Sequence, residues 1–381
     1  MIERQFDMQF IAALALREKQ IQQNYRPVIA VHKWFARRPG TLFRGVLLSE
    51  FADKPLAEAF YEGHEFENVN VLDPFMGGGT TLLEANRLGC AVTGLDVNPM
   101  SYWIVREEIE ALDLGAYKET AARIRSRLAE QIGEFYRTSC TDCGSREAQV
   151  KYFLWVKTQP CARCGTSIDL FPSYVVATDV RHTAIVFTCW HCKRLFEGAS
   201  KANPGTCTHC GTAQSARFEA RKGRCQCPQC GETNRLPNEE GTPPNHRLFA
   251  IEYHCDRCKQ ARKGRFFKTP DREDLAKLDN AAATLSRGTE QFVPDDSIPP
   301  GDETERLHRW GYKRYRDLFN PRQLLGLELL CREISSVTDA KVRRALATNL
   351  SDLLRYQNML WRYGTMALKS MDIFSLHGFP I

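Results

Sequence analysis

Asp73-Pro74-Phe75-Met76-Gly77-Gly78-Gly79-Thr80-Thr81 decides the fold class of this chain. Asn70-Val71-Leu72 before it is a short apolar stretch with strand character. Leu82, Leu83, Ala85 and Leu88 after it are spaced as one buried face of a helix. Gly89 ends that helix, because the residue past a helix terminus often takes the left-handed backbone that glycine adopts without strain. Cys90 to Leu95 reads as a second apolar strand, closed by Asp96. Strand, glycine turn, helix and strand in this order form half of a βαβ unit, so the expected class is α/β with a parallel sheet.

The same turn has binding chemistry. Its glycines let backbone approach a ligand closely, and the helix behind it offers N–H groups with no intrahelical partner. Asp96 lies 23 residues after Asp73, at a strand end where an acid can accept both hydroxyls of a ribose. No Gly-Lys-Ser/Thr follows the glycines, which excludes a triphosphate loop, and the spacing is not that of a dinucleotide fingerprint. A carboxylate at the end of the first strand suits a ligand with a cationic amino-acid part, as S-adenosylmethionine has. The plain alternative is a tight turn that binds nothing.

The 381 residues are 43% hydrophobic, enough for two or three domains with real cores. Met1 to Gln9 mixes Glu3, Arg4 and Asp7 with apolar residues, unlike a secretory leader, and no apolar run approaches the ~18 residues of a membrane span. A cytoplasmic protein without membrane contact is expected. The net charge of +6 says little alone about nucleic acid.

Fifteen cysteines in such a compartment point to metal rather than disulfides. Twelve form C-x-x-C pairs: Cys140/Cys143, Cys161/Cys164, Cys189/Cys192, Cys207/Cys210, Cys227/Cys230 and Cys255/Cys258. Two pairs complete a tetrahedral zinc site, so about three ions are expected. Pairing neighbours in sequence gives ribbons over Cys140–Cys164, Cys189–Cys210 and Cys227–Cys258; crossed pairing is the alternative. Gly144, Gly165, Gly211 and Gly231 follow their pairs, as expected of tight turns with N–H groups aimed at sulfur. Cys225 is a possible substitute for Cys227, Cys90 and Cys331 read as small core residues, and His191, His209 and His254 read as surface residues close to sulfur, with a ligand role as the alternative for each.

From Arg137 to Lys268 there are 21 Lys/Arg against 11 Asp/Glu, a formal +10. Three tetrathiolate zinc sites reduce this to about +4. Arg221, Lys222 and Arg224, and Arg262, Lys263 and Arg265, form basic clusters beside Phe218, Phe266 and Phe267 that suit phosphate contacts. The alternative is the solvated face of a small ribbon. Elsewhere, helices are expected over Leu112 to Tyr136 and Leu275 to Ser286, a linker over Val293 to Asp302, and a helical part from near Trp310. Asn320-Pro321 starts one helix there and Ala340 to Tyr363 forms another. These readings divide the chain at 1–136, 137–268, 269–305 and 306–381.

The turn at Asp73 to Thr81 resembles the cofactor motif of amino-directed DNA methyltransferases, and Gly94-Leu95-Asp96-Val97-Asn98-Pro99 resembles their ribose-binding motif. His32-Lys33-Trp34-Phe35-Ala36-Arg37-Arg38-Pro39 is similar to the segment preceding these in adenine-specific DNA methylases that contain a zinc ribbon, where it packs over the methionine end of the cofactor. Trp310-Gly311 with Leu318-Phe319-Asn320-Pro321-Arg322-Gln323 resembles a further segment of that family, so the matches span residues 32 to 323. The resemblance implies a partial Rossmann-like methyltransferase fold with inserted zinc ribbons and a C-terminal helical segment. It implies S-adenosyl-L-methionine bound by Lys33, Trp34, Asp73, Pro74, Phe75, Gly77, Gly78, Gly79, Thr80, Asp96 and Asn98, and DNA as the partner.

In that class the target amine is held by an Asp/Asn/Ser-Pro-Pro-aromatic motif. The only Pro-Pro steps here, Thr242-Pro243-Pro244-Asn245 and Ile298-Pro299-Pro300-Gly301, have neither the acceptor nor the aromatic residue. The resemblance implies that the remaining sheet begins near Phe374-Ser375-Leu376-His377-Gly378-Phe379-Pro380. The expectation is therefore the N-terminal part of such an enzyme, inactive alone, with the catalytic motif on a second polypeptide. The alternatives are a zinc-ribbon nucleic-acid-binding protein with a relic fold and part of an RNA methyltransferase.

Overall fold

The computed structural model describes residues 2–21, 27–238, 241–288 and 290–373, so the run Phe374 to Pro380 lies outside the described residues. The helices are α1 (Ile2–Gln5), α2 (Met8–Gln20), α3 (Gly40–Phe51), α4 (Leu56–Ala59), α5 (Thr80–Arg87) and α6 (Pro99–Ile109). They continue with α7 (Leu114–Ile132), α8 (Arg272–Arg287), α9 (Glu305–Arg309), α10 (Pro321–Ser335) and α11 (Ala340–Leu353). The first strands are β1 (Asn70–Asp73), β2 (Ala91–Gly94), β3 (Arg137–Thr138), β4 (Ala148–Pro160), β5 (Ser167–Asp169), β6 (Val175–Ala177) and β7 (Ile185–Thr188). After them come β8 (Leu195–Gly198), β9 (Arg224–Gln226), β10 (Thr233–Arg235), β11 (Asn245–His254), β12 (Phe266–Lys268), β13 (Arg362–Gly364) and β14 (Lys369–Met371). The chain is mixed α/β, with several small sheets rather than one large one. It divides into two units, Met1–Arg123 with Ile334–Leu353, and Ile124–Glu333 with Leu354–Ile381. No helix of the described residues is long and apolar enough to cross a membrane.

In the first unit, β1 and β2 pair in parallel with Val71 opposite Val92 and Asp73 opposite Gly94, joined by α5 as its apolar spacing requires. Leu82, Leu83 and Ala85 of α5 are buried, and Gly89 follows the helix at φ +81°. The core gathers Ile11, Leu47, Leu48 and Leu56 from three helices, Phe60 just after α4 and Leu88 from the α5–β2 turn. Fully burying each such side chain contributes on the order of 1.5–3 kcal/mol. Pro39 has no side chain to cap α3, so buried Glu18 of α2 accepts the Gly40 and Thr41 N–H groups at 2.9 Å each. Among the described residues, β1 and β2 have no other strand partner, and Leu72, Leu95 and Val97 are exposed. Such exposure is unusual for parallel strands, which are normally covered on both faces.

The second unit is organised by β4 and β11, antiparallel from Gln149 opposite His254 to Thr158 opposite Asn245. β12 extends this sheet beside β11, and β3 and β5 flank β4. Asn320 and Gln323 exchange hydrogen bonds of 2.9 and 3.0 Å as a capping box at the start of α10. Two helical expectations need correction. Trp310 closes the short α9 rather than opening a helix, with Gly311 next at φ +82°. The helix expected to Tyr363 ends at Leu353. Beyond it, buried Asn358 accepts the N–H groups of Leu360 and Trp361 at 2.9 and 3.0 Å, which commits that backbone to a turn leading into the β13–β14 hairpin.

Candidate metal centres and the glycine-turn site

The twelve paired cysteines form three tetrads: Cys140, Cys143, Cys255 and Cys258; Cys161, Cys164, Cys227 and Cys230; and Cys189, Cys192, Cys207 and Cys210. The third agrees with pairing neighbours in sequence. The ribbons Cys140–Cys164 and Cys227–Cys258 are overturned, because the pairs are nested: first with sixth, second with fifth, third with fourth. The β4–β11 ladder causes this. Antiparallel pairing places the start of β4, behind Cys143, beside the end of β11, ahead of Cys255, and the reverse holds at the other end, between Cys161 and Cys230.

Within the tetrads, Cys143 and Cys255 sulfurs are 3.6 Å apart, and Cys161 and Cys230, Cys164 and Cys227, Cys189 and Cys210, and Cys192 and Cys207 are each 3.7 Å apart. A tetrahedron with zinc–sulfur bonds of ~2.3 Å has edges of about 3.8 Å, so the three tetrads fit about three zinc ions. All ligands are protein sulfur and no position is left for water, which is the pattern of a structural site.

The electrostatics suit a divalent cation. The Thr212 hydroxyl and N–H bring the Cys210 thiol down to about 5, while burial and neighbouring thiols push Cys192 up to about 12. Burial opposes it, yet the N–H groups of Cys164 and Arg163 bring Cys161 down to about 6. Each tetrad thus combines thiols held low with thiols held high, and a divalent ion favours the thiolate at every ligand position.

The expected glycine role needs refinement. Gly144, Gly165, Gly211 and Gly231 do adopt φ of +70° to +76°, but their N–H groups donate to the carbonyl of the first cysteine, at 2.8–3.0 Å, rather than to sulfur. It is the N–H of a residue inside the knuckle, such as His209, that reaches the Cys207 sulfur, at 3.4 Å. His209 Nε2 and His254 Nδ1 bond the carbonyls of Leu195 and Gly264, and neither histidine belongs to a tetrad. Cys225 is buried outside the tetrads, its thiol 3.5 Å from the Phe218 carbonyl.

In the first unit, Asp73 ends β1 and accepts the Phe75 N–H at 3.0 Å. Asp96 lies two residues past the end of β2 and accepts from Gly77 N at 2.9 Å and Asn98 N at 2.8 Å. The Asn98 and then the Gly77 N–H hold its carboxyl below the usual range. Asn98 itself caps α6 through Met100 N at 3.0 Å.

Gly77 and Gly79 have φ of +49° and +73°, and α5 begins without a side-chain cap. A Cβ on Gly78 would stand 2.9 Å from Trp34 Cδ1, and one on Gly77 3.3 Å from Trp34 Nε1, so the indole lies against the turn. Arg37 fixes that segment: it bonds the Gly78 carbonyl at 2.7 Å and pairs with buried Glu108 at 2.5 Å. Lys33 is exposed, with its N–H on Asp352 at 3.2 Å; Pro74 is exposed, Phe75 is 88% exposed and Thr80 is buried. Thus Trp34, Gly77, Gly78, Asp96 and Asn98 come together.

The basic clusters differ from each other. Arg265 reaches buried Glu252 at 2.8 Å, Arg262 pairs with Glu197 and with Asp142 at 3.5 Å, and Lys263 bonds the Asp179 carbonyl at 3.2 Å. Arg221 pairs with Glu219, whereas Lys222 and Arg224 are exposed and make no ion pair among the described residues. Arg322, in the segment that resembles the methylase family, is buried against the Phe153 ring, its guanidinium 3.3 Å from the centroid. No family profile, curated protein or solved structure matches the chain.

Proposed function

We propose that the first unit is the S-adenosylmethionine-binding part of a DNA methyltransferase directed at an exocyclic amine, adenine N6 by the resemblance, and that the second unit is a three-zinc structural module. The observation that carries this reading is the glycine turn between parallel β1 and α5, tied to Asp96 through Gly77 N and covered by Trp34. Asp73 ends β1 and Asp96 follows two residues after β2, both at the carboxyl ends of the parallel pair, the position at which open α/β sheets bind ligands.

When bound, the donor supplies an electrophilic methyl group. Asp73 would meet its ammonium group, Asp96 its ribose hydroxyls, and Trp34 would exclude water from the turn. The target amine must be held in line with that methyl. The open edges of β1 and β2 and the exposed Leu72, Leu95 and Val97 support a sheet completed by a second polypeptide that holds the amine.

Asp73→Asn tests the donor site, because it keeps an oxygen for the Phe75 N–H and removes only the charge. Calorimetric titration should show S-adenosylmethionine weakened about tenfold or more, the scale of one charge-assisted hydrogen bond, with 5′-methylthioadenosine unaffected. A metal-loaded chain that binds neither compound at millimolar concentration overturns the reading.

A further inference from the structure

The second unit contains a cavity of about 710 Å³, a size typical of small-molecule sites. It is lined by parts of β4, β6 and β11, the Arg221–Arg224 turn, α9 and the residues around β13, which are far apart in sequence. Its charge is one-sided. Lys157, His246, Arg306, Arg309 and Arg362 line it, and no Asp or Glu does among the described residues.

Lys157 and His246 face each other as a cross-strand pair of β4 and β11, so that protonating His246 would set like charges opposite each other. The Lys157 ammonium lies 5.1 Å from the Trp310 ring centroid and has no ion pair among the described residues. Nε2 of His246 is buried without a hydrogen-bond partner, an unusual state for a ring nitrogen. Burial and then Arg306 bring Lys157 down to about 8, and burial and then Lys157 bring His246 down to about 4. An anion beside Lys157 removes that tension, and a polar edge meets His246.

Two indoles, Trp310 and Trp361, offer flat apolar surface in the same cavity. Cations beside aromatic faces are the combination that proteins use for a base and its phosphate. Gly223 also lines the cavity, between exposed Lys222 and Arg224, so the positive surface continues outward from the wall.

We propose that this cavity binds a nucleotide, with its phosphate on Lys157 and the arginines of α9 and its base between the tryptophans and Nε2 of His246. A free mononucleotide and one nucleotide of a single strand share this chemistry. The site belongs to the second unit and does not depend on the donor-binding reading of the first.

The test is calorimetric titration of the metal-loaded full chain with AMP, adenosine and a twelve-residue single-stranded oligonucleotide. AMP or the oligonucleotide should bind, adenosine at least tenfold more weakly, and saturating S-adenosylmethionine should displace neither. Lys157→Gln should weaken binding tenfold or more, and Arg309→Gln, at an exposed helix position that cannot endanger folding, about threefold, both with metal content unchanged. An oligonucleotide tenfold tighter than AMP identifies a strand as the source; equal affinity identifies the free nucleotide. The proposal fails if no phosphate-bearing probe binds at millimolar concentration, if adenosine matches AMP, if S-adenosylmethionine competes, or if both variants bind as the unaltered chain does.

Discussion

The sulfurs of Cys143 and Cys255 stand 3.6 Å apart although 112 residues separate them in the chain. Nested tetrads make a specific statement about pairs of substitutions. Cys143→Ser and Cys255→Ser disable the same site, so the double variant should keep about two ions, like each single variant. Cys143→Ser with Cys161→Ser disables two sites and should keep about one. Elemental analysis of the purified proteins distinguishes these stoichiometries; two ions retained by the second combination would restore pairing along the sequence.

The glycine turn has a stability signature that is independent of any ligand. Gly79 sits at φ +73°, and an added Cβ would lie 2.4 Å from Val105 Cγ2. Gly79→Ala therefore combines backbone strain with overpacking and should destabilise the first unit by about 2–4 kcal/mol. At Gly63 a Cβ meets nothing within 4 Å, so Gly63→Ala should leave urea unfolding unchanged or slightly improved. Equal effects at the two positions would contradict the turn geometry.

Acid should act partly through His246. Its folded value of about 4 lies below the ordinary 6.5, so the unfolded chain binds more protons between these limits. Stability from this group is full above about pH 6.5 and declines as pH falls to about 4, by on the order of 2–3 kcal/mol. His246→Phe has no such group. The difference in melting temperature between variant and unaltered chain should therefore shift in favour of the variant across this window; a constant difference would refute it. Acid loss of metal affects both proteins alike and cancels.

What was legible in the sequence was what is local. Strand, turn, helix and strand from Asn70 to Gly94 are contiguous, and each C-x-x-C knuckle is set by four residues. The metal partners were not legible, because the ladder from Gln149–His254 to Thr158–Asn245 decides them across most of the unit. The end of α11 was misread since Ala340 to Tyr363 keeps helical composition while one buried side chain, Asn358, takes the backbone N–H groups that a helix would need. The cavity around Lys157 was invisible for the same reason as the tetrads: its wall is assembled from separated segments, and only the strand register makes Lys157 and His246 neighbours.

Nesting also gives the metal sites an order in time during synthesis. Cys189 and Cys210 are 21 residues apart, Cys161 and Cys230 are 69 apart, and Cys143 and Cys255 are 112 apart. The innermost site can close as soon as its own loop has left the ribosome. Cys140 and Cys143 emerge before all the other ligands and are completed last. At 5–20 residues per second, those two thiols wait about 6–22 s for their partners. They are thus the ligands most open to oxidation or to capture by a wrong metal in the nascent chain, although in the finished fold they belong to a closed site.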